Sequence, residues 1–370
     1  MNLSQKTGLE ELIKRVSWTD AGAHISCQGT HMKDFAPVSS LSAVHALLQS
    51  MPTADEKAIA LWAAREPQLT KPAGSLGRLE EISRFLCAWQ GRHPPRLENV
   101  RARVYAGNHG VAALGVSAFP AEVTVQMVQN YQHGGAAINQ LCKTFAIELA
   151  AESLDLDRPT ADFTKGPAMS EAECVAAMAT GMRAAEDGVD LLILGEMGIG
   201  NTASAAAISH GLFGGAAADW TGRGTGVDDQ HLKIKIDVVG RGVQVNRSDD
   251  PLQILRCLGG RELAAMAGAV LAARHRRIPV LLDGYVCTAA AAVLHAADPH
   301  ALDHCLVAHA SVEPGHRRLV AQLGKRPLLD MDMRLGEGSG AALAVGLVRA
   351  AAACHTGMAT FAEAGVSDKH

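Results

Sequence analysis

Apolar positions between residues 41 and 89 recur at helical spacing. Leu76, Leu79, Ile82, Leu86 and Trp89 fall three or four apart, which places them on one stripe and predicts a packed helix. Ser75 stands where an N-cap belongs, and Pro94-Pro95 close the helical section. After Val100 the pattern changes to short apolar runs that end in polar or glycine loops and lead into alanine-rich helical stretches. These runs are 104–106, 145–149, 191–194, 278–282, 305–308 and 328–333, and the helical stretches include 203–212 and 341–353. Repetition of strand, loop and helix predicts an α/β fold, a mostly parallel sheet with helices on both faces. In such sheets ligands bind outside the carboxyl ends of the strands. Residues 1–40 are the least patterned and read as a mobile N-terminal extension.

Composition narrows the function classes. With 34 Lys+Arg against 38 Asp+Glu, a net charge of -4, no basic face is imposed for nucleic acid or anionic membrane. No apolar run reaches the ~18–20 residues of a membrane span. The first forty residues carry Glu10, Glu11, Asp20 and Asp34 without an apolar stretch of the signal-peptide kind. These features point to the cytoplasm. The eight cysteines lie far apart with no C-x-x-C spacing, which argues against a disulfide framework and a zinc knuckle.

Glycine changes the picture further. The chain holds 37 glycines in 370 residues, and nine of them crowd into residues 195–226, where even spacing would put about three. Gly198-Ile199-Gly200-Asn201-Thr202 directly precedes a helical stretch. It reads either as a phosphate cradle, in which bare backbone and a helix N-terminus hold an anion, or as a tight turn. Neither G-x-G-x-x-G nor G-x-x-x-x-G-K-[ST] is present there. A second loop, Gly222-Arg223-Gly224-Thr225-Gly226, is followed by Asp228, Asp229, Lys233 and Lys235. It is either a phosphate site with a lysine as point charge or a solvated helix start.

A third loop, Arg334-Leu335-Gly336-Glu337-Gly338-Ser339-Gly340, sets one carboxylate among glycines. Desolvation by a ligand closing on that backbone would raise its pKa toward that of a general base. Glu196 occupies the equivalent place after an earlier strand, so two carboxylates face one crevice. His109, His304, His309 and His316 form no H-E-x-x-H set, so no metal site is expected, and the absence of G-x-S-x-G speaks against a serine hydrolase.

Six segments in order resemble one family. They are Lys71-Pro72-Ala73-Gly74-Ser75-Leu76-Gly77-Arg78-Leu79-Glu80, Asn108-His109-Gly110-Val111, the segment 195–202, Gly224-Thr225-Gly226, Ser311-Val312-Glu313-Pro314 and the segment 334–340. From about Leu41 onward the chain resembles the nicotinate-nucleotide:dimethylbenzimidazole phosphoribosyltransferases. Asn108 departs from the aspartate found in many members, which puts any charge-dependent role at that position in doubt.

The resemblance implies transfer of the 5-phosphoribosyl group from nicotinate mononucleotide to 5,6-dimethylbenzimidazole, giving α-ribazole 5′-phosphate and nicotinate in cobalamin nucleotide-loop assembly. It further implies inversion at C1′, no cofactor and a homodimer. The implied domains are a Rossmann-like catalytic domain over 100–340 and a smaller helical domain from both chain ends, 41–99 completed by 341–370. The family's catalytic glutamate falls on Glu337. Glu196, Gly198, Gly200, Asn201, Thr202, Gly224, Thr225, Gly226, Lys235 and Ser311 would hold phosphate and ribose, and Gln126, Met127 and Leu335 would line the base pocket. Two rivals are a phosphoribosyl-pyrophosphate-dependent transferase and a non-catalytic nucleotide-binding regulator. The first lacks its acidic pair, since Leu281-Leu282-Asp283-Gly284-Tyr285 has one acid; retention of Glu337 speaks against the second.

Overall fold

The computed structural model describes residues 38–367. The expected extension therefore lies outside the described residues up to position 37. Ser40 already belongs to the fold, since its side chain accepts the Ala43 N–H at 3.2 Å and caps the first helix. Helical spacing in the first section resolves into α1 (Leu41–Gln49), α2 (Glu56–Arg65) and α3 (Arg78–Gln90). On α3 the residues Ile82, Leu86 and Trp89 are buried, as their stripe predicts. The cap differs from expectation. Gly77, at φ +53°, holds the N-cap position, and Ser75 sits in the preceding turn with its N–H on Pro72 O. Glu80 explains the shift, because its Oε1 accepts the Leu76 N–H at 3.1 Å from within the first helical turn.

Five apolar runs become β1 (Val100–Ala106), β2 (Glu148–Ser153), β3 (Leu191–Met197), β4 (Val280–Leu282) and β5 (Cys305–Val307). They form one parallel sheet of order β2-β1-β3-β4-β5, with Leu191 opposite Val100 and Val280 opposite Leu192. The second strand starts later than its run, because Phe145 ends a helix and Ala146 turns at φ +43°. The sixth run does not join this sheet. Only Leu329–Asp330, here β7, pairs in parallel with β6 (His309–Ala310). Asp330 and Asp332 interrupt its apolar character and Met331 is 59% exposed, so little of it can be buried.

Between and after the strands lie α4 (Glu122–Gln132), α5 (Ala137–Thr144), α6 (Glu171–Met182), α7 (Asn201–Phe213), α8 (Asp229–Val245), α9 (Pro251–Leu258), α10 (Arg261–His275), α11 (Tyr285–Ala297), α12 (Pro314–Gln322) and α13 (Ser339–Gly357). Side chains alternate across a strand. Val100, Ala102 and Val104 of β1 and Leu191 and Ile193 of β3 accordingly share one core with α3, α5 and α13. Buried α10 packs on β1 and β3 without joining that core, so it covers the other face.

The last long helix couples the sheet to the first helices. Its start lies at the Glu337 loop, while near its end Arg65 of α2 donates to His355 O at 3.1 Å and to Met358 O at 2.9 Å. A bridge between Leu69 and Thr360 adds to this junction. Because the order reverses between β1 and β3, their carboxyl ends open a crevice there, where ligands bind in sheets of this kind.

Candidate active site

Three strand ends supply the crevice. β1 leads to Asn108-His109, β3 carries Glu196 and leads to the 198–202 loop, and β4 leads to Asp283. The 334–338 loop closes down on β3. A Cβ on Gly195 would run into the Glu337 backbone, so glycine there permits the approach. Glu337 itself sits at φ +64°, a left-handed conformation uncommon for a residue with a side chain. Such strain is held in place by its surroundings and gathers at functional sites.

The carboxylate side of the cleft is buried and incompletely bonded. Glu337 is 5% exposed, and neither its Oε2 nor the hydroxyl of neighbouring Tyr131 has a hydrogen-bond partner. Burial pushes the Glu337 carboxyl above the usual carboxylate range, and Asp283 adds to it. Burial likewise pushes Glu196 up to about 8, against the bond from Asn201 Nδ2, with Asp283, Glu262 and Glu337 contributing repulsion. Asp283 is fully buried and accepts the N–H groups of Gly338 at 3.2 Å and Ala341 at 2.8 Å, which ties β4 to the Glu337 loop. His309 lies 3.6 Å from Asp283, with both ring nitrogens lacking hydrogen-bond partners.

The opposite side presents a helix N-terminus and a buried lysine. Gly200, at φ +94°, starts α7, and no side chain caps that helix. Its N-terminus therefore keeps donors and a favourable dipole for a phosphate. Lys235, 1% exposed, donates to Thr202 Oγ1 at 2.7 Å and to Gly222 O at 3.1 Å. Burial pushes its ammonium down to about 8, and nearby Glu313 opposes the shift. The buried Ser311 is held by its N–H on His316 Nδ1 at 3.0 Å.

Most of the expected residues meet here. Glu196, Gly198, Asn201, Thr202, Gly224, Thr225, Ser311 and Leu335 line one cleft, and Gly226 lines an adjoining recess. Lys235 reaches the site through Thr202. Gln126 and Met127 do not line the cleft: Gln126 is exposed and Met127 packs against the core. The buried face of α4 is instead Thr124, Val128 and Tyr131, spaced four and three apart. From it Thr124 accepts the Ile199 N–H at 3.2 Å. Nothing in the local sequence marks Tyr131, whereas Asp283 had a signal in its place after an apolar run.

The remaining histidines are bonded otherwise. His109 joins Glu262 at 2.5 Å and Ser204 at 3.1 Å, His304 meets Val270 O at 2.9 Å, and His316 meets Thr288 at 3.1 Å. Among the described residues no group of three or more His, Cys, Asp or Glu is placed to hold a metal ion. Asn108 donates to Leu156 O at 2.9 Å, which is a structural contact.

Comparisons with known proteins agree with this architecture. A family model described as Phosphoribosyltransferase matches residues 51–366. The chain is 57% identical over 331 residues to a nicotinate-nucleotide–dimethylbenzimidazole phosphoribosyltransferase of Ruegeria pomeroyi, covering 90% of this chain and 98% of the relative. A Sinorhizobium medicae protein of the same name is 57% identical over 326 residues, covering 88% and 96%. The crystal structure of CobT from Thermus thermophilus superimposes with a TM-score of 0.79 at 41% identity, covering 85% of this chain and 100% of that one. With its parallel sheet, its cleft at the strand ends and this degree of identity along most of its length, the chain belongs to the nicotinate-nucleotide:dimethylbenzimidazole phosphoribosyltransferase family, and is an enzyme of that family.

Proposed function

We propose that this enzyme transfers the 5-phosphoribosyl group of nicotinate mononucleotide to 5,6-dimethylbenzimidazole, with inversion at C1′ and Glu337 as general base. The reading rests chiefly on one observation. The strained loop that carries the buried Glu337 lines, through Arg334, Leu335 and Gly336, the same cleft as the uncapped start of α7, with the buried Lys235 behind Thr202. The phosphate takes the lysine side, with Gly198, Gly200, Asn201, Thr202 and Ser311 around it. The sugar carbon C1′ then lies between the two sides.

In the reaction the bond from C1′ to the pyridinium nitrogen breaks, and its electron pair leaves with nicotinate as a neutral ring nitrogen. A benzimidazole nitrogen forms the new bond from the opposite face. The proton on its other ring nitrogen becomes acidic as that bond forms and passes to Glu337. A raised pKa suits this step, because a base works best when its pKa lies near the operating pH. Holding three groups in register supplies the larger share, since proximity and orientation contribute ~7–11 kcal/mol. The same reading makes the protein a cytoplasmic homodimer. Chromatographic detection of nicotinate that is released only when 5,6-dimethylbenzimidazole is added tests it; release without the benzimidazole, or none at all, overturns it.

A further inference from the structure

Two carboxylates line the cleft, Glu196 and Glu313, and Glu313 has no part in the base step or among the expected phosphate and ribose contacts. It occupies the N-cap position of α12, yet its side chain accepts no hydrogen bond from that helix. Here it turns toward the cleft and the adjoining recess instead. It is 7% exposed and its Oε2 has no hydrogen-bond partner. The space it fills exists because residue 222 is glycine: a Cβ there would collide with Oε2. Its backbone is held as well, with the Glu313 N–H facing Ser311 Oγ at 3.4 Å and the His316 N–H on Glu313 O at 3.0 Å.

A buried carboxylate oxygen without a donor is costly, so the donor comes from what binds. Lys235 is close enough to feel the charge but directs its bonds to Thr202 and Gly222. Among the parts of a nucleotide donor, the phosphate and the pyridine carboxylate are acceptors at neutral pH. Only the ribose 2′ and 3′ hydroxyls can donate. They lie one sugar ring away from a phosphate held at Lys235, and a hydroxyl placed between the phosphate and Glu313 also relieves the repulsion of two anions.

From this geometry we infer that Glu313 reads the ribose hydroxyls of the donor and makes the enzyme selective for ribosyl over deoxyribosyl nucleotides. The inference rests on the phosphoribosyl reading above. The test is kcat/KM for nicotinate mononucleotide and for its 2′-deoxy and 3′-deoxy analogues, measured with wild type, Glu313→Gln and Glu313→Ala. Wild type is expected to prefer the ribosyl donor over at least one analogue by about tenfold or more. That ratio is expected to shrink in Glu313→Gln and to approach unity in Glu313→Ala. Equal losses on all donors, with the ratio kept, overturn the inference, as does a wild type that does not discriminate. Glu313→Gln is nearly isosteric and its melting temperature reports folding. A wild type that releases no nicotinate from nicotinate mononucleotide overturns the phosphoribosyl reading itself, whereas an active wild type with an unchanged ratio in both variants overturns this inference alone.

Discussion

Two glycine-punctuated segments of this chain each pair a lysine with a glutamate, and they end in opposite electrostatic states. In the segment 71–80, Lys71 bonds Glu66 at 2.8 Å and Glu80 at 2.7 Å, and the Leu76 N–H also goes to Glu80. Burial works against both charges, but the mutual bonds outweigh it, so Lys71 is raised and Glu80 lowered. In the cleft, Lys235 reaches only neutral oxygens and is lowered to about 8, while Glu337 keeps an unpartnered oxygen and is raised. Residue type and glycine context are alike in the two places. What differs is whether the charges satisfy each other. Satisfied charges tie α2 to α3 and, through Glu66 and His355, to the end of α13. In the cleft neither charge has an opposite charge bonded to it, and the proposed function assigns both to the substrates.

The comparison breaks most visibly at Glu337. Glu337→Gln is expected to keep the melting temperature and nucleotide binding while kcat falls by about 10²–10⁴, the usual worth of general-base help. Near-wild-type nicotinate release from that variant removes Glu337 from the role. At the other segment the loss should be one of stability. Lys71→Met takes the shared lysine from Glu66 and Glu80, leaving them only His355 and the Leu76 N–H, and removing one partner of a buried pair costs ~3–5 kcal/mol. The lower end is expected, since Lys71 is only partly enclosed. Denaturant unfolding checks this, and an unchanged midpoint contradicts the structural role.

Lys235→Ala should act on binding. KM for the nucleotide is expected to rise by about tenfold or more, the worth of a hydrogen bond to a charged group, with a smaller change for the benzimidazole. In wild type the nucleotide KM should rise as pH passes about 8, where Lys235 loses its proton, and this rise should vanish in the variant. A reversed pattern of KM values takes Lys235 out of the phosphate site.

The smallest effect concerns stability against pH. The folded protein holds a proton on Glu196 up to about 8, whereas the unfolded chain releases it near the ordinary glutamate value. Folding therefore takes up a proton between those values, and this group makes stability fall as pH rises through that window. Glu196→Gln should flatten that fall by a few degrees in melting temperature between pH 5 and pH 9. An unaltered slope in thermal melts shows that Glu196 is not held protonated.

Much of the cleft was legible because its residues are local. Glycines around Glu337 and after β3 mark backbone that something approaches, and periodicity set apart helices from strands. The Gly198 to Thr202 loop could be placed at a helix start from adjacent residues alone. The edges of the reading failed where single side chains or pairings override the pattern. Ser75 lost the N-cap to Gly77 because Glu80 reaches back to Leu76. The run 328–333 yielded one short strand, Leu329–Asp330 beside β6, with the Leu328 N–H on Val307 O of β5.

By itself the sequence determined the alternation of elements, the sites of close backbone approach and the family resemblance, since each is written in neighbouring residues. The tertiary structure alone decided which charges are answered. Tyr131 comes to Glu337 from 206 positions earlier in the chain, Asp283 reaches Gly338 and Ala341 across the sheet, and Glu313 turns from its own helix toward Gly222. Desolvation and pairing depend on everything packed around a group, and that neighbourhood exists only once the chain has folded.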